Sequence, residues 1–201
     1  MSADHYGAGV VDDIMVVGVG GQGVIVAAAV IADTAMLHGG LEVKLSETRG
    51  MSQRGGSVSS HIRIGETVVA PSISPGEVDY LLAFESAEGL RAAPSVVPGG
   101  VAIINTQQIV PPLASQGDMS YPFDAPERMA LGDRHVIVVD GNGIAQEVGD
   151  LKVAGIVLVG ALSTHLPFDV ETWQAAIVRN VPPKWKDLNF AAFAAGRGVG
   201  K

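Results

Sequence analysis

The run Ile-Met-Val-Val-Gly-Val-Gly-Gly-Gln-Gly at residues 14–23 decides the fold class of this chain. It begins as a short apolar segment typical of a buried strand and ends in glycines. An alanine-rich segment at residues 24–37 follows, long enough for about four helical turns. Residues 41–45 then alternate apolar and polar side chains, as a second strand does. The chain therefore opens with a predicted strand–helix–strand unit.

Strands and helices continue to alternate along the chain. A polar loop over residues 46–56 is predicted to lead into a β-hairpin built from residues 57–64 and 67–69. Three further buried strands are predicted, over residues 78–84, 101–104 and 135–139. Helices are predicted over residues 85–92, 153–164, 170–179 and 184–195, with one helical turn near Glu127 in the proline-rich connection at 111–130. We expect an α/β fold: a Rossmann-like open, mostly parallel sheet with helices on both faces and an inserted β-hairpin.

Composition bounds the domain count and the class of protein. The chain has 201 residues, 47% of them hydrophobic, so residues 14–201 are predicted to form a single domain after a disordered lead-in at residues 1–13. The absence of cysteine excludes a disulfide framework, a thiolate zinc site and an iron–sulfur cluster held by this chain's own thiolates. A formal charge of −8 disfavours nucleic-acid binding. Glycines and Gln22 within the apolar residues 14–32 disfavour a membrane span, and residues 1–13 lack the basic start of a signal peptide, so we expect a cytoplasmic protein.

A glycine-rich turn carries the first functional signal. Gly18, Gly20 and Gly23 form a G-x-G-x-x-G pattern, which also contains Gly21 and Gln22, between a predicted strand and a predicted helix. Glycines let the backbone approach a phosphate closely, and the free N–H groups at the start of the helix stabilise negative charge. Three interpretations fit these residues: a site for NAD(P) or FAD, a site for another phosphate-bearing ligand, or close packing of strand against helix without a ligand.

A charged segment downstream supplies the second signal. Glu47 stands near the distance from the glycines at which a dinucleotide site carries its acidic ribose ligand. Arg49, Gln53 and Arg54 follow it, and a guanidinium group offers a planar fork of donors suited to phosphate or carboxylate. We expect this segment beside the glycine turn, because ligands of open sheets bind beyond the carboxyl ends of the strands. It either contacts a ligand or partner, or is a solvated loop in which the arginines pair with Glu47.

The sequence offers few candidates for catalysis. The five histidines have no metal-ligand spacing and none stands in a recognisable nucleophile motif, so we predict no catalytic residue and no metal ligand. Asp140, which follows the last predicted strand, either belongs to the ligand edge or caps a helix. Glu85 and Glu88 either face the cleft or cap their helix, and the cap is favoured. By themselves, these residues indicate a phosphate-binding α/β domain without its own catalytic machinery.

Longer motifs give the chain a resemblance to a known family. Gly-x-Gly-Gly-Gln-Gly at 18–23, Ser-Glu-x-Arg-Gly-Met-Ser-Gln-Arg-Gly-Gly-Ser-Val at 46–58 and Ser-His-Ile-Arg-x-Gly at 60–65 resemble the γ-type domain of the 2-oxoacid:ferredoxin oxidoreductases. Further matches in the family's order extend to Gly196. Within the family, the Gln-Arg-Gly-Gly-Ser-Val run at 53–58 is most similar to β subunits of indolepyruvate:ferredoxin oxidoreductases. Gly155 departs from the pattern, since many members carry Asn there.

The resemblance implies a non-catalytic subunit of a hetero-oligomeric enzyme. In this family a large α-type catalytic subunit, with thiamine and ferredoxin-like domains, oxidatively decarboxylates a 2-oxoacid to an acyl-CoA. For this chain the implied substrate is indolepyruvate or another aryl 2-oxoacid. Thiamine diphosphate, Mg²⁺ and the 4Fe–4S clusters would belong to that partner, and ferredoxin or an NAD-linked subunit would accept the electrons indirectly.

The resemblance also implies a shared coenzyme A site, because the γ-type domain packs on the catalytic chain and helps to enclose the coenzyme. Carried onto this sequence, the residues that would approach the diphosphate are Gly20, Gly21, Gln22 and Gly23. Those that would contact phosphates or the partner are Arg49, Gln53 and Arg54. The alternatives are a stand-alone NAD(P)-dependent dehydrogenase and a scaffold protein whose glycine loop binds nothing.

Overall fold

Six strands form one sheet in the computed structural model, which describes residues 6, 9–50, 56–111, 120–130 and 132–200. They are β1 (Val11–Val19), β2 (Glu42–Arg49), β3 (Ser57–Gly65), β4 (Val78–Ala83), β5 (Val96–Asn105) and β6 (His135–Val139). Their order is β2-β3-β1-β4-β5-β6, with β1, β4, β5 and β6 parallel and β3 antiparallel to both its neighbours. The predicted open, mostly parallel sheet is therefore confirmed.

Helices flank the sheet on both faces. In the described residues they are α1 (Val24–His38), α2 (Ser86–Ala92), α3 (Ala125–Ala130), α4 (Gly141–Val148), α5 (Ala154–Leu162), α6 (Val170–Asn180) and α7 (Lys186–Val199). Glu85, Asp140 and Asp169 each cap a helix by accepting the N–H of the residue three positions on. The predicted cap at Glu85 is thus confirmed, and Asp140 also caps its helix.

The inserted hairpin differs from the prediction. It consists of β2 and β3, and β3 lies between β2 and β1, whereas residues 67–69 form no strand. Pairing residues 57–64 with the next apolar run was wrong because β3 is hydrogen-bonded on both edges already. Its alternation places Ile62 and Ile64 in the core that includes α1. Val68 is buried instead as part of a covering loop, with its N–H bonded to the Glu42 carboxylate.

Strand β2 also extends further than predicted. Residues 46–49 continue the ladder, with Glu47 opposite Ser60 and Arg49 opposite Val58. Glu47 therefore lies in a strand and not in the polar loop that the sequence indicated, because the regular register with β3 continues to satisfy the backbone groups of β2.

Strand β1 starts at Val11, three residues before the predicted strand start at Ile14. Asp12 and Asp13 are buried in it, and their polar composition hid the strand from sequence analysis. Each carboxylate has a partner: the Tyr6 hydroxyl donates to Asp12, and Arg63 donates two hydrogen bonds of 2.7 and 2.8 Å to Asp13. Residues 1–5, 7 and 8 of the expected lead-in lie outside the described residues.

The two faces of the sheet are covered unequally. The larger core packs α1, α5, α6 and α7 against one face, and the smaller core packs α2 and α3 against the other. Helices α5 and α7 approach closely at Gly160 and Gly196, where a Cβ built on either glycine would lie 3.1 Å from the Cα of the other. The apolar residues 14–32 divide between β1 and α1, and no helix in the described ranges is long and apolar enough to cross a membrane.

Candidate functional site at the carboxyl edge of the sheet

The topology creates one crevice at the carboxyl edge. From β1 the chain crosses through α1 toward β2, and from β4 it crosses through α2 toward β5 on the other side. The crossovers thus diverge between β1 and β4, which are direct neighbours in the sheet. Such a switch point is where ligands of open α/β sheets bind. The glycine turn at residues 18–23 lies there, beside the segment that begins at Phe84.

Gln22 bridges this crevice from within the turn. Its Oε1 accepts the Val19 N–H at 2.7 Å, and its Nε2 donates to the Phe84 carbonyl at 3.0 Å and to Gln107 Oε1 at 2.8 Å. These bonds join the ends of β1, β4 and the segment after β5. The side chain of Gln22 therefore holds the turn in place, a role that the sequence pattern did not indicate.

The glycines of the turn have different physical requirements. A Cβ at Gly18 would lie 2.8 Å from atoms of Gln22, Phe84 and Val24, so Gly18 is required by packing. Gly21 and Gly23 have φ of +99° and +89°, and no atom lies within 4 Å of a Cβ built on either. Close packing of strand against helix therefore explains Gly18. It does not explain Gly21 and Gly23, whose backbone is left-handed and whose side-chain positions face open space.

The connection between β2 and β3 meets the glycine turn. The Gly20 N–H donates to the Gly56 carbonyl at 2.9 Å, and the Gly50 N–H donates to the Ser57 carbonyl at 2.8 Å. Both ends of the connection that carries Gln53 and Arg54 are therefore fixed, one of them directly on the turn. Gln53 and Arg54 themselves lie outside the described residues. The expectation that the glycine turn and this connection adjoin is met at Gly20 and Gly56.

A row of carboxamide side chains extends the edge beyond β4. Asn105, at the end of β5, donates to the Phe84 carbonyl at 3.1 Å and to Asn142 Oδ1 at 3.0 Å, and its Oδ1 accepts the Gly141 N–H at 3.0 Å. Sequence reasoning gave Asn105 and Gln107 no role. The signal that would have found Asn105 is a polar residue that ends a buried strand, where its amide can satisfy neighbouring backbone groups.

The buried carboxylate of Glu85 forms hydrogen bonds that stabilise the fold. One carboxylate oxygen accepts the Ile109 N–H at 3.0 Å and the Tyr121 hydroxyl, and the other accepts the Glu88 N–H at 2.9 Å. Burial, followed by the hydrogen bond to Glu85, raises the pKa of Tyr121 above its ordinary value. This carboxylate ties α2 to the segments at 109 and 121. Within the described residues, no group of three or more His, Asp or Glu side chains is placed to hold a metal ion.

Comparison with known proteins identifies the family. The pyruvate ferredoxin/flavodoxin oxidoreductase family matches residues 13–199. The chain belongs to this family. The oxidoreductase subunit is 39% identical over 188 residues to the indolepyruvate oxidoreductase subunit IorB of Archaeoglobus fulgidus, covering 92% of each chain. It is 37% identical over 192 residues to the subunit of the same name from Methanothermobacter thermautotrophicus, covering 93% of this chain and 96% of that one.

Solved structures confirm the fold of the oxidoreductase subunit. The γ subunit of a keto/oxoacid ferredoxin oxidoreductase from Geobacter sulfurreducens superposes with a TM-score of 0.71 at 24% identity, over 94% of this chain and 98% of that one. The 2-oxoglutarate:ferredoxin oxidoreductase of Magnetococcus marinus gives 0.70 at 20% identity, over 94% of this chain but 31% of that one. Together with the family match and the indolepyruvate oxidoreductase relatives, this confirms the resemblance read from the sequence: the chain is a small subunit of a 2-oxoacid:ferredoxin oxidoreductase.

Proposed function

We propose that this chain is the non-catalytic subunit of a cytoplasmic, thiamine diphosphate-dependent enzyme that oxidatively decarboxylates indolepyruvate or another aryl 2-oxoacid to an acyl-CoA. The choice of substrate class rests on the difference in sequence identity between two groups of relatives. Four indolepyruvate oxidoreductase subunits are 34–39% identical to this chain, whereas three 2-oxoglutarate synthase subunits are 26–29% identical.

The redox and decarboxylation chemistry is assigned to a larger partner. Thiamine diphosphate with Mg²⁺ would supply the decarboxylation chemistry, and 4Fe–4S clusters would carry the electrons toward ferredoxin or an NAD-linked acceptor. A chain without cysteine cannot hold such clusters on its own thiolates. The absence of cysteine supports placing the clusters on another chain, and the resemblance to the family implies that an α-type catalytic subunit in a hetero-oligomer holds them together with the thiamine diphosphate.

We assign part of the coenzyme A binding site to this chain. The coenzyme's diphosphate would lie against the glycine turn, where Gly21 and Gly23 leave open space and the first N–H groups of α1 lack intrahelical acceptors. The Gly20 N–H is already bonded to Gly56, so Gly20 contributes by shaping the turn. Gly18 and Gln22 hold the turn against Phe84, as described above.

The charged connection completes this proposed site. Glu47 and Arg49 lie at the end of β2, and Gln53 and Arg54 follow in the connection that returns to Gly56. A guanidinium binds a diphosphate through two parallel hydrogen bonds, so Arg49 and Arg54 would contact the coenzyme's phosphates or an acidic surface of the partner.

The experiment compares the chain alone with the chain co-expressed with the large subunit of the same complex. We expect no 2-oxoacid oxidation by the chain alone. The complex should reduce a viologen dye in the presence of indolepyruvate and coenzyme A, with a higher kcat/KM for indolepyruvate and phenylpyruvate than for pyruvate or 2-oxoglutarate. Nicotinamide-dependent turnover by the chain alone would contradict the proposal and support a dehydrogenase. A preference for 2-oxoglutarate would contradict the substrate class.

A further inference from the structure

A cavity lies at the amino edge of the sheet, at the far end of α1 from the glycine turn. Its volume of about 670 Å³ falls within the range of about 300–1,000 Å³ typical of small-molecule pockets. It is lined by His38, which ends α1, by residues 163–169 and by the end of α7. The Tyr80 hydroxyl, near the start of β4, donates to the His165 carbonyl in this lining at 3.3 Å. Because α1 has 15 residues and spans about 22 Å, a ligand here would lie far from the proposed diphosphate site.

The guanidinium group of Arg197 is held in place at the wall of this cavity. Its Nη1 donates to the Ser163 carbonyl at 3.3 Å and to Ser163 Oγ at 2.7 Å, and its Cζ lies 5.8 Å from the centre of the Phe193 ring. Its Nε and Nη2 donate to no residue that the structure describes, and within the described ranges it forms no ion pair. Arg197 is therefore a half-buried cation with a fixed position and unused hydrogen-bond donors.

The polar groups beside Arg197 form hydrogen bonds with the protein itself. Ser163 Oγ donates to a carbonyl of α5 at 2.6 Å, and Thr164 Oγ1 donates to the Gly200 carbonyl at 2.6 Å. Burial lowers the pKa of His165 below its ordinary value, so this imidazole is neutral at pH 7 and adds no charge to the cavity. The unused donors of Arg197 therefore favour an anion as the ligand.

Asp169 and the apolar wall restrict the kind of anion. Asp169 lines the same cavity, and the hydrogen bond from the Thr172 N–H, 2.6 Å long, lowers the pKa of its carboxyl group, which is ionised at neutral pH. This carboxylate repels a second negative charge on a ligand. Leu166, Pro167 and Phe168 supply an apolar part of the lining. The lining therefore favours a ligand with one negative charge and an apolar body.

We propose that this cavity binds an organic monocarboxylate whose apolar body has the size of one ring. Arg197 would donate two parallel hydrogen bonds to the carboxylate through Nε and Nη2. The same chain contains this geometry at Arg63, whose Nε and Nη2 donate to the Asp13 carboxylate at 2.7 and 2.8 Å. The apolar body would lie against Leu166 and Pro167. The proposal does not rest on the coenzyme A site, because no residue of this cavity is assigned there.

Calorimetric titration of the full chain with four small molecules tests the proposed ligand class. Phenylacetate carries one carboxylate and one ring, whereas phenylacetamide lacks the charge, acetate lacks the ring and succinate adds a second carboxylate. We expect phenylacetate to bind about tenfold or more tightly than each of the other three, since a hydrogen bond to a charged group contributes more than a neutral one. Equal affinities for phenylacetate and phenylacetamide would overturn the proposal.

Variants at the two charged residues locate the binding site. Arg197→Gln should weaken phenylacetate binding by about ten- to a hundredfold, the effect of losing a charge-assisted contact. Arg179→Gln, at an exposed position on α6, is the matched control and should bind phenylacetate as the wild-type chain does. No measurable binding of phenylacetate to the wild-type chain, or unchanged affinity in Arg197→Gln, would overturn the proposal.

A second variant keeps the test valid if Arg197→Gln destabilises the end of α5. Asp169→Asn removes the negative charge but retains the cap of α6, because asparagine caps helices about as well as aspartate. The thermal unfolding midpoint should therefore change little, and the affinity for succinate should rise by about two- to fivefold as the repulsion is removed. An unchanged affinity for succinate in this variant would contradict the placement of the ligand between Arg197 and Asp169.

Discussion

The side-chain amide of Gln22 donates a 3.0 Å hydrogen bond to the backbone carbonyl of Phe84, across the crevice between the carboxyl ends of β1 and β4. The same amide nitrogen donates to Gln107, and the amide oxygen accepts the Val19 N–H. One glutamine therefore satisfies backbone groups on two strands that are far apart in sequence. Its position explains how a turn rich in glycine keeps a defined shape.

Replacing Gln22 by Glu should destabilise the chain. The carboxylate can still accept from Val19, but it cannot donate to Phe84 or Gln107. Gln107 Oε1 loses this donor, and the Phe84 carbonyl keeps the hydrogen bond from Asn105. We expect a loss of about 1–3 kcal/mol in the free energy of unfolding, measured by urea titration. Gln146→Glu, at an exposed position on α4, is the matched control. Equal unfolding midpoints for the two variants would contradict the bridging role of Gln22.

Replacing Arg54 by Ala tests the proposed diphosphate site in the assembled enzyme. Loss of a charge-assisted contact of about 1.5–3 kcal/mol should raise the KM for coenzyme A by about ten- to a hundredfold while the KM for the 2-oxoacid stays constant. Arg179→Ala, at an exposed position on α6, should leave both constants unchanged. An unaltered KM for coenzyme A in Arg54→Ala would remove Arg54 from the site.

Two glycines on α7 should respond oppositely to substitution by alanine. A Cβ at Gly196 would collide with the Val157 carbonyl of α5, whereas a Cβ at Gly198 meets nothing within 4 Å. Gly196→Ala should lower the free energy of unfolding by about 1–3 kcal/mol through overpacking. Gly198→Ala should raise it by up to about 1 kcal/mol through helix propensity, less near the helix end. Similar thermal midpoints for the two variants would contradict the close contact of α5 with α7.

Acidification should destabilise the chain near the ordinary histidine pKa. Burial lowers the pKa of both His61 and His165 below 6.5, although Asp13 partly opposes this at His61. His61 Nδ1 accepts the Ile73 N–H at 3.2 Å, a bond that the imidazolium form cannot make. At acidic pH the unfolded chain therefore binds more protons than the folded chain. The contribution of the two histidines to the free energy of unfolding is complete above pH 6.5 and is lost as the pH falls below that value.

Urea titrations at pH 7.5 and pH 5.5 measure this effect. His61→Gln should reduce the difference between the two values, and His38→Gln, at an exposed position, serves as the control. Burial raises the pKa of Asp79, which stabilises the folded chain on acidification and so acts in the opposite direction at lower pH. A free energy of unfolding that rises between pH 7.5 and pH 5.5 would contradict the assignment to the two histidines.

Local signals predicted the first third of the fold well. The apolar run at 14–19, the glycines and the alanine-rich segment are contiguous, and they form β1, the turn and α1 as predicted. The insertion of β3 between β2 and β1 was missed, because strand order is set by contacts between distant residues such as Ile14 and Ile62. Asp12 and Asp13 appeared too polar for a strand, since their partners Tyr6 and Arg63 are not evident from the sequence.

The candidate site was predictable only where a motif is continuous in the chain. The glycine turn was found, but Asn105 and Gln107 were not, since their role arises from hydrogen bonds to the ends of other strands. A cleft between helices is lined by Val26 of α1, Ile156 of α5 and Trp185 in the turn before α7, and no spacing along the sequence connects these residues. Such sites become visible only when the helices have packed.

Hydrogen–deuterium exchange of the assembled enzyme, with and without coenzyme A, tests the central claim most directly, because amide protection reports which backbone groups the ligand covers. The account predicts slower exchange in peptides that contain Gly21 and Gly23 at the start of α1, and in those that contain residues 47–54, with little change at β6. Protection by coenzyme A confined to the large subunit, with exchange at the glycine turn unchanged, would contradict it.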